Sequence, residues 1–513
     1  MTSATALGGD AAAGGAVENS GAPSAAAVQD AAAGVAAHDV EAVNSGAARA
    51  LYQKRVPIYP KRVHGTYRRV KWALLAVTLG IYYLLPWVRW PRGLGEPNQA
   101  VLVDFPGQRF YFFFIEIWPD ELYYVTGLLI LAALALFLAT ALFGRIWCGY
   151  ACPQTVWTDL YMAVERLIEG DRNKRIKLAK SPWSLDKLCK KVAKHALWLL
   201  IAAATGGAWV FYFHDAPSIF LKLFTGEAPA SAYIFLGGLT FTTYALAGTM
   251  REQVCTYMCP WPRIQAALTD EETLQVTYKT DRGEPRGRHK AGSSWDGRGD
   301  CIDCKACVAA CPMGIDIRDG AQLECINCAL CIDACDDIMA RVERPVRLIG
   351  YDTDKNIERR AAGAAPTIWL FRPRTLFYAV LIVLISALML FGLSSRATME
   401  MSVLRDRTPP YVVLSDGSIR NTYTVKIVNR TNTPQDYVLR MESPAAFKLS
   451  AVGVETVDRA IRVTTPGDGV RSLRVFATMA PDGVASAAPS FRFSVENAAT
   501  GDRLEKTTIF LKE

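Results

Sequence analysis

The sequence lacks several motifs that identify common classes of protein. It contains no G-x-G-x-x-G or Walker loop, which argues against a bound dinucleotide or nucleotide, and no C-x-x-C-H, which excludes covalently attached c-type haem. No nucleic-acid motif is visible. The first 50 residues are rich in Ala and Gly and lack an apolar run after a basic start. They therefore predict a disordered tail and not a signal peptide.

Cysteine is missing from both ends of the chain. All 13 cysteines lie between Cys148 and Cys335. A domain formed by the C-terminal segment therefore cannot contain disulfides, and its stability must depend on its hydrophobic core. Eight of the cysteines fall between Cys301 and Cys335, and their spacing is the most informative feature of the sequence.

These eight cysteines form two runs with the same spacing. The first is C-x-x-C-x-x-C-x-x-x-C-P, and the second repeats it except that Asp336 stands where proline is expected. The pattern is typical of bacterial two-cluster ferredoxins, in which the fourth cysteine of each run ligates the other cluster. Structural zinc has no use for the third cysteine, and disulfides would need an oxidising compartment. The predicted ligands are Cys301, Cys304, Cys307 and Cys335 for one [4Fe–4S] cluster, and Cys311, Cys325, Cys328 and Cys331 for the other.

Five segments are nearly free of charge over the length needed to span a bilayer. The predicted spans are Trp72–Trp90, Leu122–Phe143, Ala196–Phe213, Ala232–Met250 and Leu376–Leu393. Buried helices of a soluble protein are the alternative, but Leu122–Phe143 offers no polar face. The sequence therefore predicts an α-helical transmembrane bundle of about five spans.

Basic residues orient these spans. Lys and Arg are frequent before the first span, between the second and third, and between the fourth and fifth. The loop after the first span has only Arg92 and Arg109, and the loop after the third has only Lys222. By the positive-inside rule, the N-terminus and the cysteine-rich domain are expected in the cytoplasm, and the segment after Leu393 outside. This asymmetry explains the formal net charge of +8 without a nucleic-acid partner.

The remaining segments alternate apolar and polar residues with period two. Residues 98–118 predict a hairpin or a re-entrant segment at the outer interface, with a turn at Phe105-Pro-Gly-Gln. After about Met401, roughly seven short runs separated by turn signals predict an immunoglobulin-like β-sandwich. The predicted organisation is a disordered tail at 1–50, a four-span membrane domain at 51–275, a cytoplasmic ferredoxin-like two-cluster domain at 276–345, a linker and fifth span at 346–395, and a periplasmic immunoglobulin-like domain at 396–513.

A second cysteine motif is repeated in the membrane part. Cys148 and Cys152 precede Pro153 after the second span, and Cys255 and Cys259 precede Pro260 after the fourth, so both copies read C-x-x-x-C-P. Helical cysteines at i and i+4 share one face, and two pairs on neighbouring helices would bring four thiolates together. Such soft ligands favour Cu(I). Ordinary packing of small buried cysteines is the alternative.

The whole arrangement resembles the CcoG/FixG family of cytochrome c oxidase accessory proteins. The resemblance rests on the basic N-terminus, the spans with two C-x-x-x-C-P motifs, the two-cluster insert before the last span, and the stretch from Arg405 to Thr424. It covers residues 50–513. It implies a role in building the copper centre of cbb3-type oxidases, with reduction of Cu(II) as the chemistry.

The resulting hypothesis is a bacterial inner-membrane iron–sulfur protein that reduces Cu(II) to Cu(I), with Cys148, Cys152, Cys255 and Cys259 as the catalytic or copper-handling thiols. Its expected partners are membrane lipid, oxidase assembly factors or copper carriers, and an electron donor that the sequence does not identify. Two alternatives stay open. One is a quinol-dependent electron-transfer subunit of a respiratory reductase, and the other is a non-enzymatic copper-binding assembly scaffold.

Overall fold

The computed structural model describes residues 37–44, 56–92, 96–290, 294–395, 397–431, 433–442, 447–454, 456–457, 460–467, 469–480 and 490–511. The chain divides into two compact units. The first comprises Met1–Arg92 with Pro97–Ile385, and the second comprises Gly93–Glu96 with Ser386–Glu513.

The first unit is mainly helical. Its α-helices, with the last running on into the second unit, are α1 Thr66–Leu84, α2 Tyr123–Phe143, α3 Ile146–Tyr150, α4 Pro153–Glu169, α5 Arg172–Lys180, α6 Leu185–Phe211, α7 Ala216–Thr225, α8 Ala230–Thr243, α9 Trp261–Leu268, α10 Thr280–Gly283, α11 Ala306–Ala310, α12 Leu330–Arg341, α13 Asp354–Ala361 and α14 Pro373–Ser394. Short 3₁₀ helices cover Leu85–Trp87, Pro119–Glu121 and Ile317–Asp319, and π-helices cover Tyr244–Met250 and Val254–Met258.

Four helical segments in the described part of the chain are long and apolar enough to cross a membrane. They are Thr66–Trp87, Tyr123–Phe143, Ala230–Met250 and Pro373–Ser394, and they correspond to four of the five predicted spans. The predicted span Ala196–Phe213 forms most of the second half of α6, whose first half carries lysines. This helix therefore combines a polar half and an apolar half, and it is not among the four.

Helix α6 packs closely on α8, and glycine makes this approach possible. A Cβ atom on Gly206 would lie 2.7 Å from the carbonyl oxygen of Leu236 and 3.1 Å from the Thr240 hydroxyl. Close contacts of this kind favour small residues between membrane helices. The apolar half of α6 thus belongs to the helical bundle although α6 is not among the four spans.

Buried ion pairs connect the helices at one end of the bundle. Asp159 on α4 pairs with Arg68 of α1 at 2.9 Å. Glu165, one turn and a half later, pairs with Arg251 at 2.5 Å and lies 3.6 Å from Lys194 of α6. Buried charges are stable when paired and hydrogen-bonded. Helix α4 therefore fixes α1, α6 and the segment that begins the second C-x-x-x-C-P motif.

The cysteine-rich domain is closed by a two-stranded antiparallel sheet. Strand β4, Gln275–Tyr278, pairs with β5, Ile349–Asp352. Strand β5 lies beyond residue 345, where the sequence analysis ended this domain. The domain also contacts the membrane part, because the Asp333 carboxylate of α12 accepts hydrogen bonds from the backbone N–H groups of Tyr67 (3.2 Å) and Arg68 (2.7 Å). Asp333 therefore caps the N-terminus of the first span.

The N-terminal segment 37–44 lies against the same domain. The N–H of His38 donates to the carbonyl oxygen of Cys304 at 3.0 Å, and those of Val43 and Asn44 donate to Gly314 at 2.7 and 3.1 Å. The prediction of a disordered tail is therefore wrong for these eight residues, since their backbone is bound to the cysteine-rich domain. The other residues of the predicted tail lie outside the described ranges.

Residues 98–118 form the predicted hairpin and one further strand. Strands β1 Val101–Asp104, β2 Arg109–Phe112 and β3 Ile115–Ile117 make an antiparallel sheet in the order β1-β2-β3. The turn between the first two contains Phe105-Pro-Gly-Gln, as predicted.

The second unit is a β-sandwich. Its strands are β6 Met399–Arg405, β7 Val412–Val413, β8 Ile419–Asn429, β9 Gln435–Glu442, β10 Phe447–Ala451, β11 Thr456–Val457, β12 Ala460–Thr465, β13 Gly469–Met479, β14 Ser490–Asn497 and β15 Arg503–Ile509. One sheet has the order β10-β13-β8-β6 with β7 beside β8, and the other β11-β12-β9-β14-β15. Alternating residues such as Tyr423, Val425 and Ile427 are fully buried in a shared core. The period-two pattern thus marks the inward face.

Candidate metal centres

Eight cysteines surround two adjacent cavities in the cysteine-rich domain. Four line one small cavity, namely Cys301, Cys304, Cys307 and Cys335. The second small cavity is lined by Cys311, Cys325, Cys328 and Cys331, and also by Cys307. The fourth cysteine of each run reaches the cavity of the other run. This is the grouping that the spacing predicts, and ligation by each thiol stays a prediction.

The two cavities have equivalent loops. Asp303 and Lys305 in the first run have positive φ angles of 51° and 54°, and Asn327 and Ala329 in the second have 52° and 60°. Each pair flanks the second cysteine of its run. Left-handed conformations are uncommon for residues other than glycine and need support from the surroundings. The repeat in sequence is therefore a repeat in backbone structure.

Backbone N–H groups point at the sulfur atoms. Burial raises the pKa of Cys304, while the N–H of Ala306 acts in the opposite direction. Burial and then the neighbouring Cys328 raise the pKa of Cys311 to about 12, again opposed by backbone N–H donors. Such donors stabilise thiolate and shift the potential of an iron–sulfur cluster.

Whether iron–sulfur clusters fit the two cavities can be judged from the charged groups near the cysteine thiols. Arg318 lies near Cys307 and Arg145 near Cys325, yet burial still holds the pKa of both thiols above its ordinary value. The protein alone therefore does not stabilise four thiolates per cavity. A bound cluster supplies the missing positive charge and deprotonates its thiols. The donor set and the cavities fit two [4Fe–4S] clusters.

A site for one mononuclear ion fits less well. Among the residues that the structure describes, no three His, Cys, Asp or Glu side chains are grouped so that they could hold a single metal ion. Cubane clusters place their thiolates at separate corners, so the wide spacing of the cysteines agrees with clusters better than with structural zinc.

The four cysteines of the C-x-x-x-C-P motifs also converge. Burial raises the pKa of Cys255 to about 12, with further contributions from Cys152, Cys148 and Cys259. Cys148 is buried, and its S–H donates to Gln265 Oε1 at 3.2 Å. Cys259, in contrast, is exposed. Thiols from two distant segments thus share one region with a buried and an accessible side, although in the described structure no three of them are close enough to hold one metal ion together.

The local structure of these motifs differs from the expected helical face. Cys148 lies in the short helix α3, whereas Cys152 is the extended N-cap residue of α4. Cys255 lies in the π-helix Val254–Met258, and Cys259 is extended at its end. Each motif therefore spans a helix break, which the following proline favours because it restricts the preceding residue to extended conformations. Tertiary contact, and not an i, i+4 face, brings the thiols together.

The second cysteine cavity lies directly against these thiols. Cys148 and Cys255 pack in one apolar cluster with Cys311, Cys325 and Cys328. Gly149 allows this contact, because a Cβ atom there would lie 2.6 Å from the carbonyl oxygen of Ile326 and 3.0 Å from Cys328 Cα.

Arg145 connects the segment that carries Cys148 with the loop that carries Cys325. Its guanidinium donates to the carbonyl oxygen of Cys325 at 2.8 Å, to that of Leu323, and to Gln265 Oε1 at 3.3 Å. Gln265 is the same residue that accepts from Cys148. The sequence analysis did not identify Arg145, Gly149 and Gln265 as site residues. Arg145 and Gly149 lie on either side of Cys148 in the sequence, and this closeness to the motif was the available signal.

Cys255 lines a further cavity together with two methionines. The cavity has a volume of about 30 Å³ and is lined in part by Met162 and Met313, which are both 4% exposed. Met313 follows Cys311 by two residues, so this cavity adjoins the second cysteine cavity. The sequence analysis singled out neither methionine, because one lies on α4 and the other in the cysteine-rich domain.

Models of three protein families match the sequence. A 4Fe-4S dicluster domain matches residues 250–354, a 4Fe-4S binding domain matches residues 125–174, and the IG-like fold at the C-terminal of FixG matches residues 389–513. The match at 125–174 includes Cys148 and Cys152. The three matches cover the membrane part, the cysteine-rich domain and the sandwich.

Two curated proteins are similar over nearly their whole length. The nitrogen fixation protein FixG of Rhizobium meliloti is 50% identical over 495 residues, covering 91% of this chain and 94% of the relative. Protein RdxB of Cereibacter sphaeroides is 51% identical over 468 residues, covering 90% and 97%. Among solved structures, a FixG-related protein from Vibrio parahaemolyticus aligns with a TM-score of 0.20 and 21% identity, covering 23% of this chain and 99% of that chain.

Proposed function

Because the chain belongs to the FixG family of membrane iron–sulfur proteins, we propose that it reduces Cu(II) to Cu(I) at the four thiols of its C-x-x-x-C-P motifs. The observation that supports this proposal is that Cys148 and Cys255 pack in the same apolar cluster as Cys311, Cys325 and Cys328 of the second cavity. It gives a short path between an electron carrier and a group of soft ligands.

The electron balance is simple. Clusters held by the eight cysteines would supply single electrons, so one reduced cluster would be oxidised for each Cu(II) converted to Cu(I). Each thiol that binds the ion as thiolate releases its proton to water. The residues of this chain place the thiols and keep the path short, with Gly149 and Arg145 holding α3 against the second cavity. Thiolates prefer Cu(I) to Cu(II). Binding to these ligands therefore stabilises the product and makes the reduction of Cu(II) more favourable.

The exposure of the thiols suggests a direction for copper. Cys259 is exposed, while Cys148 is buried beside the second cysteine cavity. In this proposal copper arrives at the exposed side, and the electron arrives at the buried side. Cys255, with Met162 and Met313 in its cavity, offers sulfur donors between the two.

The cellular role and topology belong to the same proposal. Cu(I) made at this site supplies the copper centre of a cbb3-type oxidase through assembly factors or copper carriers. The clusters face the cytoplasm of a bacterial cell and the β-sandwich faces the periplasm, a topology supported by the basic loops. Reporter fusions after residues 180, 320 and 450 test it, with a periplasmic location for residue 320 contradicting the proposal.

Paired serine variants test the copper chemistry. Anaerobically reduced protein should convert Cu(II) to Cu(I) in a chelator assay. Replacing Cys148 and Cys152, or Cys255 and Cys259, with Ser should lower this rate while the iron content stays at about eight atoms per chain, because hydroxyl is a harder ligand than thiolate. Full activity in the serine variants would show that copper is reduced elsewhere.

A third iron–sulfur cluster at the four thiols is the second candidate. It is favoured by the 4Fe-4S binding domain model that matches residues 125–174, which contain Cys148 and Cys152. Iron analysis separates the two candidates. A content of about twelve iron atoms that falls to about eight in the serine variants indicates a third cluster, and about eight in all variants supports the copper site.

A further inference from the structure

A groove of about 820 Å³ lies where the first span begins, apart from the cysteines. Residues of α1, of the segment before it and of α4 line this groove. They are Arg62, Val63, His64, Gly65, Arg68, Arg69, Trp72, Ala163, Arg166 and Leu167. Four are arginines, one is histidine, and none of the ten is acidic. The groove therefore carries a concentrated positive charge.

Three carboxylates lie close to the groove and offset part of this charge, fewer than the four arginines that line it. Asp171 accepts a hydrogen bond from the N–H of Arg62 at 3.0 Å, and Asp333 accepts one from the N–H of Arg68 at 2.7 Å. Asp159 beneath the groove is fully buried and is shared between Arg68 at 2.9 Å and Lys71 at 3.9 Å. Within the described part of the chain, Arg68 Nη2 and Arg166 Nε have no hydrogen-bond partner. Burial and the neighbouring Arg68 lower the pKa of Arg166. A bound anion would relieve this repulsion between like charges.

The groove also adjoins apolar surface at the start of a membrane span. Trp72 lies in the span Thr66–Trp87 and is 38% exposed, and the Arg68 guanidinium stacks over its ring at 4.5 Å. Leu167, at the other side of the groove, is 80% exposed. Tryptophan beside basic residues is typical of the membrane–water interface. The combination suits a ligand with a charged head and an apolar tail.

We propose that this groove binds an anionic phospholipid, with the phosphate among Arg62, Arg69 and Arg166 and the acyl chain along Trp72 and Leu167. Arginine suits this role because its planar guanidinium forms paired hydrogen bonds with phosphate oxygens. Basic pockets between membrane helices bind such headgroups. The site is distinct from the copper chemistry, because none of its ten lining residues lines either cysteine cavity or belongs to a C-x-x-x-C-P motif.

Native mass spectrometry of the full chain tests the proposal. The detergent-purified protein is titrated with phosphatidylglycerol, with phosphatidylcholine of the same acyl chains, and with inorganic phosphate. We expect phosphatidylglycerol to be retained in preference to phosphatidylcholine. Arg69→Gln and Arg166→Gln should each weaken its binding about fivefold, the value of one basic residue near an anionic membrane surface.

Arg263→Gln is the matched control, since Arg263 is exposed near the end of the fourth span and does not line the groove. It should bind phosphatidylglycerol as the unchanged protein does. Equal retention of both lipids, or unchanged binding in both groove variants, would overturn the proposal. Displacement of the lipid by millimolar phosphate would show that the groove recognises soluble phosphate and not lipid. Arg69 is exposed, so its variant remains informative if Arg166→Gln unfolds.

Discussion

At the scale of single residues, Gly149 allows the thiols of the C-x-x-x-C-P motifs to lie close to the second cysteine cavity. The backbone of Ile326 and Cys328 occupies the space that a side chain would need. A peptide carbonyl fixed in a loop cannot move aside as a flexible side chain can. Glycine at this position is therefore a requirement of the proposed electron path.

We predict that Gly149→Ala moves the thiols of the C-x-x-x-C-P motifs away from the second cysteine cavity. The added methyl should cost about 1–3 kcal/mol of stability, as overpacking typically does, and should lower the rate of Cu(II) reduction. Iron content should stay the same, because none of the eight cavity cysteines changes. Stopped-flow absorbance of the reduced protein mixed with Cu(II) measures the rate.

Gly237→Ala is the control for this variant. Gly237 lies on α8, and a Cβ atom there meets nothing within 4 Å. The control should keep the rate of the unchanged protein. A normal rate in Gly149→Ala would mean that the close contact is not needed for electron transfer.

The methionines beside Cys255 give a second prediction at this scale. Met162→Leu and Met313→Leu keep the volume of the side chain and remove the thioether, so stability should change by less than about 1.5 kcal/mol. If the cavity holds Cu(I), the double variant should bind Cu(I) more weakly in competition with a chelator. Met339→Leu, a buried position in the other cysteine cavity, should leave Cu(I) affinity unchanged.

At the scale of elements, the first span depends on the cysteine-rich domain for its N-terminal cap. Asp333 of α12 accepts from two N–H groups of α1 that otherwise have no helical partner. A carboxylate at a helix N-terminus also interacts favourably with the helix dipole. This contact joins a membrane helix to a metal-binding domain.

Asp333→Ala should therefore loosen this junction. We expect a loss of about 1–2 kcal/mol of stability and faster hydrogen exchange at the amides of Tyr67 and Arg68. Asp337→Ala is the control, because Asp337 lies on the same helix in an exposed pair with Arg341 and such pairs contribute little. Equal protection of the two amides in both variants would contradict the prediction.

The secondary-structure elements also show how much of the site can be predicted from the sequence alone. The spacing of the eight cysteines predicted which of them share a cavity, because each run is a local backbone motif. The arrangement of the C-x-x-x-C-P motifs was not predictable in the same way. The prolines after Cys152 and Cys259 favour the helix breaks at these residues, but the approach of the two motifs depends on contacts between distant residues, such as the hydrogen bond from Cys148 to Gln265. Periodicity carries no information about such contacts.

At the scale of the whole molecule, the two units have different sources of stability. The first contains every cysteine, and its metal-binding domain needs bound iron to hold its buried thiols as thiolates. The second has no cysteine, and its core contains fully buried side chains such as Tyr423, Tyr437 and Phe493. The sequence predicted this difference from the distribution of cysteine.

The β-sandwich should accordingly fold by itself. We predict that residues 397–513, produced alone, unfold in one cooperative thermal transition whose midpoint is the same with and without dithiothreitol or an iron chelator. Circular dichroism at increasing temperature measures it. A broad transition, or a midpoint that depends on the reductant, would mean that the sandwich relies on the first unit.

The N–H···O bonds of residues 37–44 and the Asp333 cap impose an order on biosynthesis. A ribosome releases His38 and Val43 long before it has made Cys304 and Gly314, and α1 enters the bilayer before Asp333 exists. Residues 37–44 and the start of α1 therefore remain without these hydrogen-bond partners until about 266 more residues have been made. Final closure of the cysteine-rich domain can take place only after Asp333 has been made, when three of the four candidate membrane helices in the described part of the chain are already complete.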